Sequence, residues 1–262
     1  MPASPHVENL EPRQLLSVTV DDGVLTVTGT RRSDLVLLAI YQGRLQVRVN
    51  SGTTVFDPDQ VERISIRTGR GNDRVYFGAF AGLGFGFPLH EGRLNFARET
   101  PIDLPVALDV GAGNDWANLA HGDVRASGGP GDDVINAGDG RNFLDGGDGN
   151  DALSGGAGGG TFIGGAGQDA ILGGKGNDTL IGGDGGDQRM SGSGTDILRG
   201  HDGNDTLDGG DGDGDGQFDI LVGGDGDDVF RALDRLDRVR DPGREDLFFG
   251  PAGPINRPPD LD

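Results

Sequence analysis

Aspartate is the residue with chemistry to offer in this chain, and it recurs at a fixed interval. Asp115, Asp133, Asp151, Asp169, Asp187 and Asp205 stand 18 residues apart, and Asp228 follows 23 residues after Asp205. Interleaved with them fall Val124, Asn142, Gly160, Asp178, Asp196 and Asp219, a second series that carries carboxylates only towards its C-terminal end. Hard carboxylate oxygens, together with carbonyl oxygens, are the ligand set of Ca²⁺. Other chemistries lack their residues. His90-Glu91 is followed by GRLNF, without the second histidine of a zinc protease helix, and Gly-x-Ser-x-Gly is absent. Gly174-Lys175 is followed by Gly176, so the end of a phosphate-binding loop is missing its hydroxyl. His6, His90, His121 and His201 lie in separate segments, and cysteine is absent, which excludes disulfides and thiolate sites.

The elements that must position these aspartates are legible as a repeat. From Gly128 the chain reads GGPGDDVIN, AGDGRNFLD, GGDGNDALS, GGAGGGTFI, GGAGQDAIL, GGKGNDTLI, GGDGGDQRM, SGSGTDILR and GHDGNDTLD without a gap to Asp208. A unit with five extra residues follows at 209–222, GGDGDDVFR occupies 223–231, and the same frame runs back through a degenerate 119–127 to VGAGNDWAN at 110–118. The sixth position is the aspartate. The eighth is bulky and apolar: Ile135, Leu144, Leu153, Phe162, Ile171, Leu180, Leu198, Leu207, Leu221 and Phe230. A Gly-rich hexapeptide suits a turn with positive φ, and the three residues after it suit a short strand with one side chain inward. A disordered linker has no reason to keep an apolar residue every nine positions.

The pattern GGxGxDxUx, with U apolar, strongly resembles the RTX (hemolysin-type) calcium-binding nonapeptide family. The resemblance covers roughly residues 110–231 and implies a right-handed parallel β-roll in which two nonapeptides make one coil. Units i and i+2 then stack on one edge, about one strand spacing (~4.8 Å) apart, and their carboxylates repel unless a cation sits between them. Carried over residue by residue, Asp115, Asp133, Asp151, Asp169, Asp187, Asp205 and Asp228 hold up to six ions between seven turns. On the other edge the resemblance leaves the pairs Asp178/Asp196 and Asp196/Asp219, so the roll is expected to be loaded asymmetrically. Arg189 departs from the pattern at an eighth position. Either that strand slips by one and turns Met190 inward, or the roll is distorted there. In the insertion, Asp211, Asp213, Asp215, Gly216 and Asp219 fit positions 1, 3, 5, 6 and 9 of an EF-hand-like loop, while position 12 falls on Val222. The alternative is an acidic bulge.

Composition and flanks bound the rest. A net charge of −21 argues against nucleic acid and against anionic lipid as electrostatic partners. No apolar run approaches a membrane span, and the N-terminus shows no basic-then-apolar secretory pattern. Glycine, at 52 of 262 residues, is too costly in backbone entropy to be incidental. With one core side chain per unit, the fold needs another source of stability, and bound metal supplies one. The expected organisation is all-β: residues 1–16 an N-terminal segment, 17–109 a β-rich region of β-helix or sandwich type, 110–231 the roll, and 232–262 a polar cap and Pro-rich tail. Within 7–17, Glu11, Pro12, Arg13, Leu15 and Leu16 resemble the LEPR-x-LL segment that opens many bacterial surface or exported proteins; the alternative is an ordinary polar leader. The TGRGNDRVY stretch at 68–76 repeats the turn chemistry with Asp73. The Phe-rich stretch 77–89 either covers a core edge or forms an exposed patch. Residues ALDRLDRVRD after 231 form either a charged helical turn or a polar capping strand.

The function expected is a secreted or cell-surface calcium-binding repeat protein that folds on binding Ca²⁺ and serves a structural, adhesive or surface role, without enzymatic activity. Its expected partners are calcium ions and a surface or matrix polysaccharide or protein. The alternative is a secreted carbohydrate-active enzyme using residues 17–109. A groove of facing acids there would favour the enzyme.

Overall fold

The computed structural model describes residues 16–78, 102–119, 121–210, 217–231, 237–240, 246–250 and 253–255. Within them the chain is all-β apart from one turn of 3-10 helix at Pro58–Gln60. It winds as a solenoid whose successive strands alternate between two long sheets, one of eleven strands and one of thirteen. Each strand pairs in parallel with the strand one coil away. Val134–Asn136, for example, pairs with Ala152–Ser154, which pairs with Ala170–Lys175 in turn. The register is the 18-residue coil: Ile135 faces Leu153, and Leu153 faces Ile171.

The local reason is the nonapeptide itself. The glycine in the second position takes a left-handed φ, +113° at Gly147, and a Cβ there would collide with the carbonyl of Gly129 one coil below. Glycine lets the turns stack this closely without steric cost, and His201, which takes the same position at φ +80° in register with Gly183 and Gly224, is the exception. The strand then directs its eighth residue inward. All ten apolar eighth positions are buried, none more than 3 % exposed, and they form one continuous core. The core is one side chain deep per strand.

Both sheets continue into the N-terminal region. Val24–Thr28 pairs in parallel with Arg63–Arg67, which pairs with Val106–Asp109, which pairs with Val124–Pro130 of the roll. In the other sheet Leu35–Tyr41 pairs with Arg74–Phe77, and that strand with Trp116–Asn118. Of the two options for this region, the solenoid holds: its strands extend the sheets of the roll. Leu25, Val27, Val36, Leu38, Ile64, Ile66 and Val75 carry the same core onwards. At this end the sheets turn antiparallel. Ser17–Asp21 folds back on Val24–Thr28, and Arg44–Val49 with Gly52–Phe56 folds back on Leu35–Tyr41. These hairpins end the two sheets in the antiparallel strands Ser17–Asp21 and Gly52–Phe56 in place of a parallel coil. At the opposite end Arg238–Arg240 and Leu247–Gly250 each add a parallel strand, so the segment after 231 supplies a strand and not a helical turn at 238–240.

Two expectations at Arg189 are corrected. The strand does not slip: Ile171 faces Arg189 and Leu172 faces Met190, in register with the coils on either side. Arg189 points inward at 1 % exposure, and Met190 stands outside at 50 %. Neither is the pairing interrupted, because the guanidinium finds two carboxylates inside. The LEPR-x-LL-like residues, the stretch beyond Gly78 in 77–89, the acidic residues Asp211, Asp213 and Asp215, and the Pro-rich tail beyond 255 lie outside the described residues.

Candidate metal centre

The aspartates predicted from spacing come together as a ladder on one edge of the solenoid. The backbone N–H of each donates to Oδ1 of the aspartate one coil further on, through Asp115, Asp133, Asp151, Asp169, Asp187, Asp205 and Asp228. The ladder is longer than the repeat. It starts with Asp34, whose N–H donates to Asp73, and Asp73 in turn donates to Asp115; at the far end Asp228 donates to Asp246. All nine steps measure 2.5–3.0 Å.

The other edge is built the same way where it has carboxylates. Asp178 donates to Asp196 Oδ1 at 2.7 Å, Asp196 to Asp219 at 2.8 Å, and Asp219 to Asp237 at 3.2 Å. Upstream, the same position holds Val124, Asn142 and Gly160 in register. Asn142 turns its amide to the Gly138 carbonyl at 2.8 Å. The asymmetry read from the sequence is therefore present in the carboxylates.

These carboxylates are inside the protein. From Asp34 to Asp228, those of both edges are at most 5 % exposed. From Asp73 to Asp228 on the longer edge, one oxygen of each accepts a ladder N–H and the other has little to hold; Asp178, which opens the other edge, has no hydrogen bond to either oxygen. Oδ2 of Asp115, Asp133, Asp151, Asp169, Asp205 and Asp228 has no hydrogen-bond partner among the described residues. In the Gly-first units that carry an aspartate this oxygen sits against the first glycine, where a Cβ would strike it, as at Gly128 with Asp133 and Gly146 with Asp151. Burial accordingly raises the acids. Asp115, Asp151, Asp169 and Asp228 are pushed up to about 6, and Asp133 and Asp178 to about 7. At Asp178 the charge of Asp196 adds to the burial. A row of desolvated carboxylates of one sign is unfavourable unless protons or cations neutralise it.

The donor set fits one cation class. Among the described residues no three His, Asp or Glu side chains converge on a point. An ion here would take one carboxylate from each turn, with backbone carbonyls of the Gly-rich turns as its further ligands. Oxygen-only coordination with carbonyls suits Ca²⁺ and not zinc or copper.

Sequence reasoning missed four members of the two series or left them unplaced. The sequence marks Asp73 only as a turn residue. Asp34 lies 39 residues before it, because the hairpin strands Arg44–Val49 and Gly52–Phe56 interrupt the coil. Asp237 and Asp246 each lie 18 residues after a ladder member and precede an inward apolar residue, Val239 and Phe248. Their signal was the spacing, present without the glycines. Also unforeseen is a second ladder along the exposed rim. Asn114, Asp132, Asn150 and Gln168 each donate a backbone N–H back to the side chain one coil earlier, on Asn72, Asn114, Asp132 and Asn150. It runs in the opposite sense to the buried ladder, so each turn is tied in both directions.

The model of the RTX calcium-binding nonapeptide repeat matches the chain in four copies, at residues 127–162, 154–188, 190–213 and 213–234. No curated protein matches the chain. The coil register and the glycine turns run through the matched span, the sixth position is aspartate there except at Asn142 and Gly160, and residues 127–234 are similar to the RTX calcium-binding nonapeptide repeat family.

Proposed function

We propose that this is an extracellular calcium-binding repeat protein whose solenoid is completed by Ca²⁺ along its two turn edges. The observation that carries the reading is the buried aspartate ladder, with a free carboxylate oxygen at nearly every step. The proposed ligands are Asp115, Asp133, Asp151, Asp169, Asp187, Asp205 and Asp228 on one edge and Asp178, Asp196 and Asp219 on the other. Asp211, Asp213 and Asp215 remain candidates in the insertion. Where calcium is scarce, mutual repulsion keeps the turns open; extracellular modules of this class bind at about 10⁻⁴–10⁻³ M, so folding follows exposure to millimolar calcium. A secreted or surface location with a structural or adhesive role follows from that coupling. Among the described residues no helix is long and apolar enough to cross a membrane.

The reading also holds that the chain is not an enzyme. A groove of about 610 Å³ does open beside the N-terminal coils, lined by Asp34, Asp73, Asp115, Asp132 and Trp116 among others. Asp34 and Asp132 have both oxygens engaged, and Asp73 and Asp115 each have one oxygen in the ladder. Asp34 accepts from the Thr30 N–H and the Asn50 amide, Asp73 and Asp115 accept ladder N–H groups, and Asp132 accepts from Asn114 and Asn150. That arrangement supports a structural role for them over an acid–base pair. Isothermal titration of the metal-free chain with Ca²⁺ and with Mg²⁺ tests the proposal: multiple calcium sites with weak or no magnesium binding are expected, and absence of calcium binding at millimolar concentrations refutes it.

A further inference from the structure

Arg189 is the largest fully buried side chain among the described residues, and it stands where every neighbouring unit has an apolar residue. It faces Ile171 on one side and Leu207 on the other. Its Nη1 lies 3.2 Å from Asp187 Oδ2, its Nη2 lies 3.2 Å from Asp205 Oδ1, and all three side chains are fully shielded from solvent. A guanidinium desolvated this thoroughly is tolerable only when paired.

The pairing has a particular place in the ladder. Along the run from Asp115 to Asp228, Oδ2 lacks a hydrogen-bond partner at every step except Asp187, and there Arg189 supplies it. The guanidinium also fills the space under Gly182 that the neighbouring units leave to the carboxylate alone. Its charge reaches one coil further each way and opposes the upward push of burial on Asp169 and Asp228. Residue 189 falls between two of the four matched family copies, at 154–188 and 190–213, so the family pattern does not account for it.

We propose that Arg189 is a built-in cation that takes the place of one calcium ion at the step between Asp187 and Asp205, giving the roll one coil that closes without metal. The inference rests on the calcium reading above and adds to it a fixed, metal-independent nucleus. Folding induced by calcium would then spread in both directions from residues 182–208, since repeat arrays propagate by nearest-neighbour contacts.

The test uses the full chain and two variants, Arg189→Leu and Arg189→Lys. Leucine is what Leu180 and Leu207 provide at the equivalent position, so the core stays filled. Bound calcium at saturation is counted by equilibrium dialysis, and folding is followed by circular dichroism in chelator and during calcium titration. Arg189→Leu is expected to take up one more Ca²⁺ per chain, to lose β signal in chelator, and to need roughly threefold to tenfold more calcium at the midpoint. Arg189→Lys, which keeps the charge, is expected to retain the parent ion count. An unchanged count with unchanged signal in chelator overturns the inference while leaving the calcium reading intact. So does an Arg189→Leu chain that stays unfolded in saturating calcium, because an ion should then substitute for the guanidinium. A parent chain that binds no calcium sinks both readings together.

Discussion

At the scale of single residues, the account turns on what a buried carboxylate costs and what relieves it. Asp151→Asn isolates that cost, because asparagine keeps the Oδ1 that accepts the Asp133 N–H and loses only the charge. The substitution should stabilise the metal-free chain and destabilise the calcium-loaded one by about 1–3 kcal/mol, a reversal of sign that thermal unfolding in chelator and in calcium would read. Asn142→Ala should leave the calcium midpoint nearly unmoved. The pH dependence follows from the same acids. Their folded-state values are raised from 3.8 to about 6 or 7, so between about pH 4 and 7 the metal-free fold holds protons that the unfolded chain has released. Its stability is therefore greatest near pH 4 and falls as pH rises through 6 to 7. Calcium, which needs the carboxylates ionised, reverses that slope. Circular dichroism against pH, with and without calcium, should give two curves that cross.

At the scale of the element, each unit is one turn and one strand, and each half fails differently. Leu180→Ala removes one fully buried side chain from a core with no second layer and should cost about 2–5 kcal/mol. The two glycines Gly147 and Gly43 separate conformational strain from collision. Both have positive φ, but a Cβ at Gly43 meets nothing, while at Gly147 it meets the backbone of the preceding coil. Gly43→Ala should cost about 1–2 kcal/mol, the left-handed penalty alone, and Gly147→Ala distinctly more, as urea unfolding of the calcium-loaded chain would show. This level was the most legible in the sequence. Period nine fixed the inward residues from Ile135 to Phe230, and the sixth position fixed which carboxylates share an edge. Legibility ended where the glycines did. The sequences before Asp237 and Asp246, ALDRL and DPGRE, lack the motif, and hairpins lengthen the coil between Asp34 and Asp73. Arg189 is legible in the sequence as a departure from the apolar eighth position, but neither a slip to Met190 nor a distorted roll describes it. The carboxylates of Asp187 and Asp205 offset part of the cost of burying its charge, while Nε and Nη2 make no hydrogen bond, and only the structure shows these carboxylates in reach.

At the scale of the whole molecule, a solenoid with a thin core is a row of weakly stable coils whose ends need closing. The N-terminal end is closed by antiparallel hairpins, and towards the C-terminus Phe230 stacks on Phe248 of the following coil, ring centroids 5.2 Å apart. Phe248→Ala should therefore unzip the C-terminal coils first, giving hydrogen exchange that is faster at 220–250 than at 130–190. The net charge of −21 repels the coils from one another throughout, and calcium bound at the turns would lower it locally. The single tryptophan, Trp116, follows the ladder residue Asp115 directly and lies on the open face of its strand. It reports order in the coil where the N-terminal region meets the repeats.

The central claim is that this ladder needs calcium to fold. Its most direct test is a calcium titration of the metal-free chain at pH 7.5, followed together by far-UV circular dichroism and Trp116 fluorescence, with magnesium in parallel. The account predicts a cooperative gain of β signal at sub-millimolar to millimolar Ca²⁺, a coincident change in Trp116 emission, and no response to Mg²⁺. A chain that is fully folded in chelator and indifferent to calcium would contradict it.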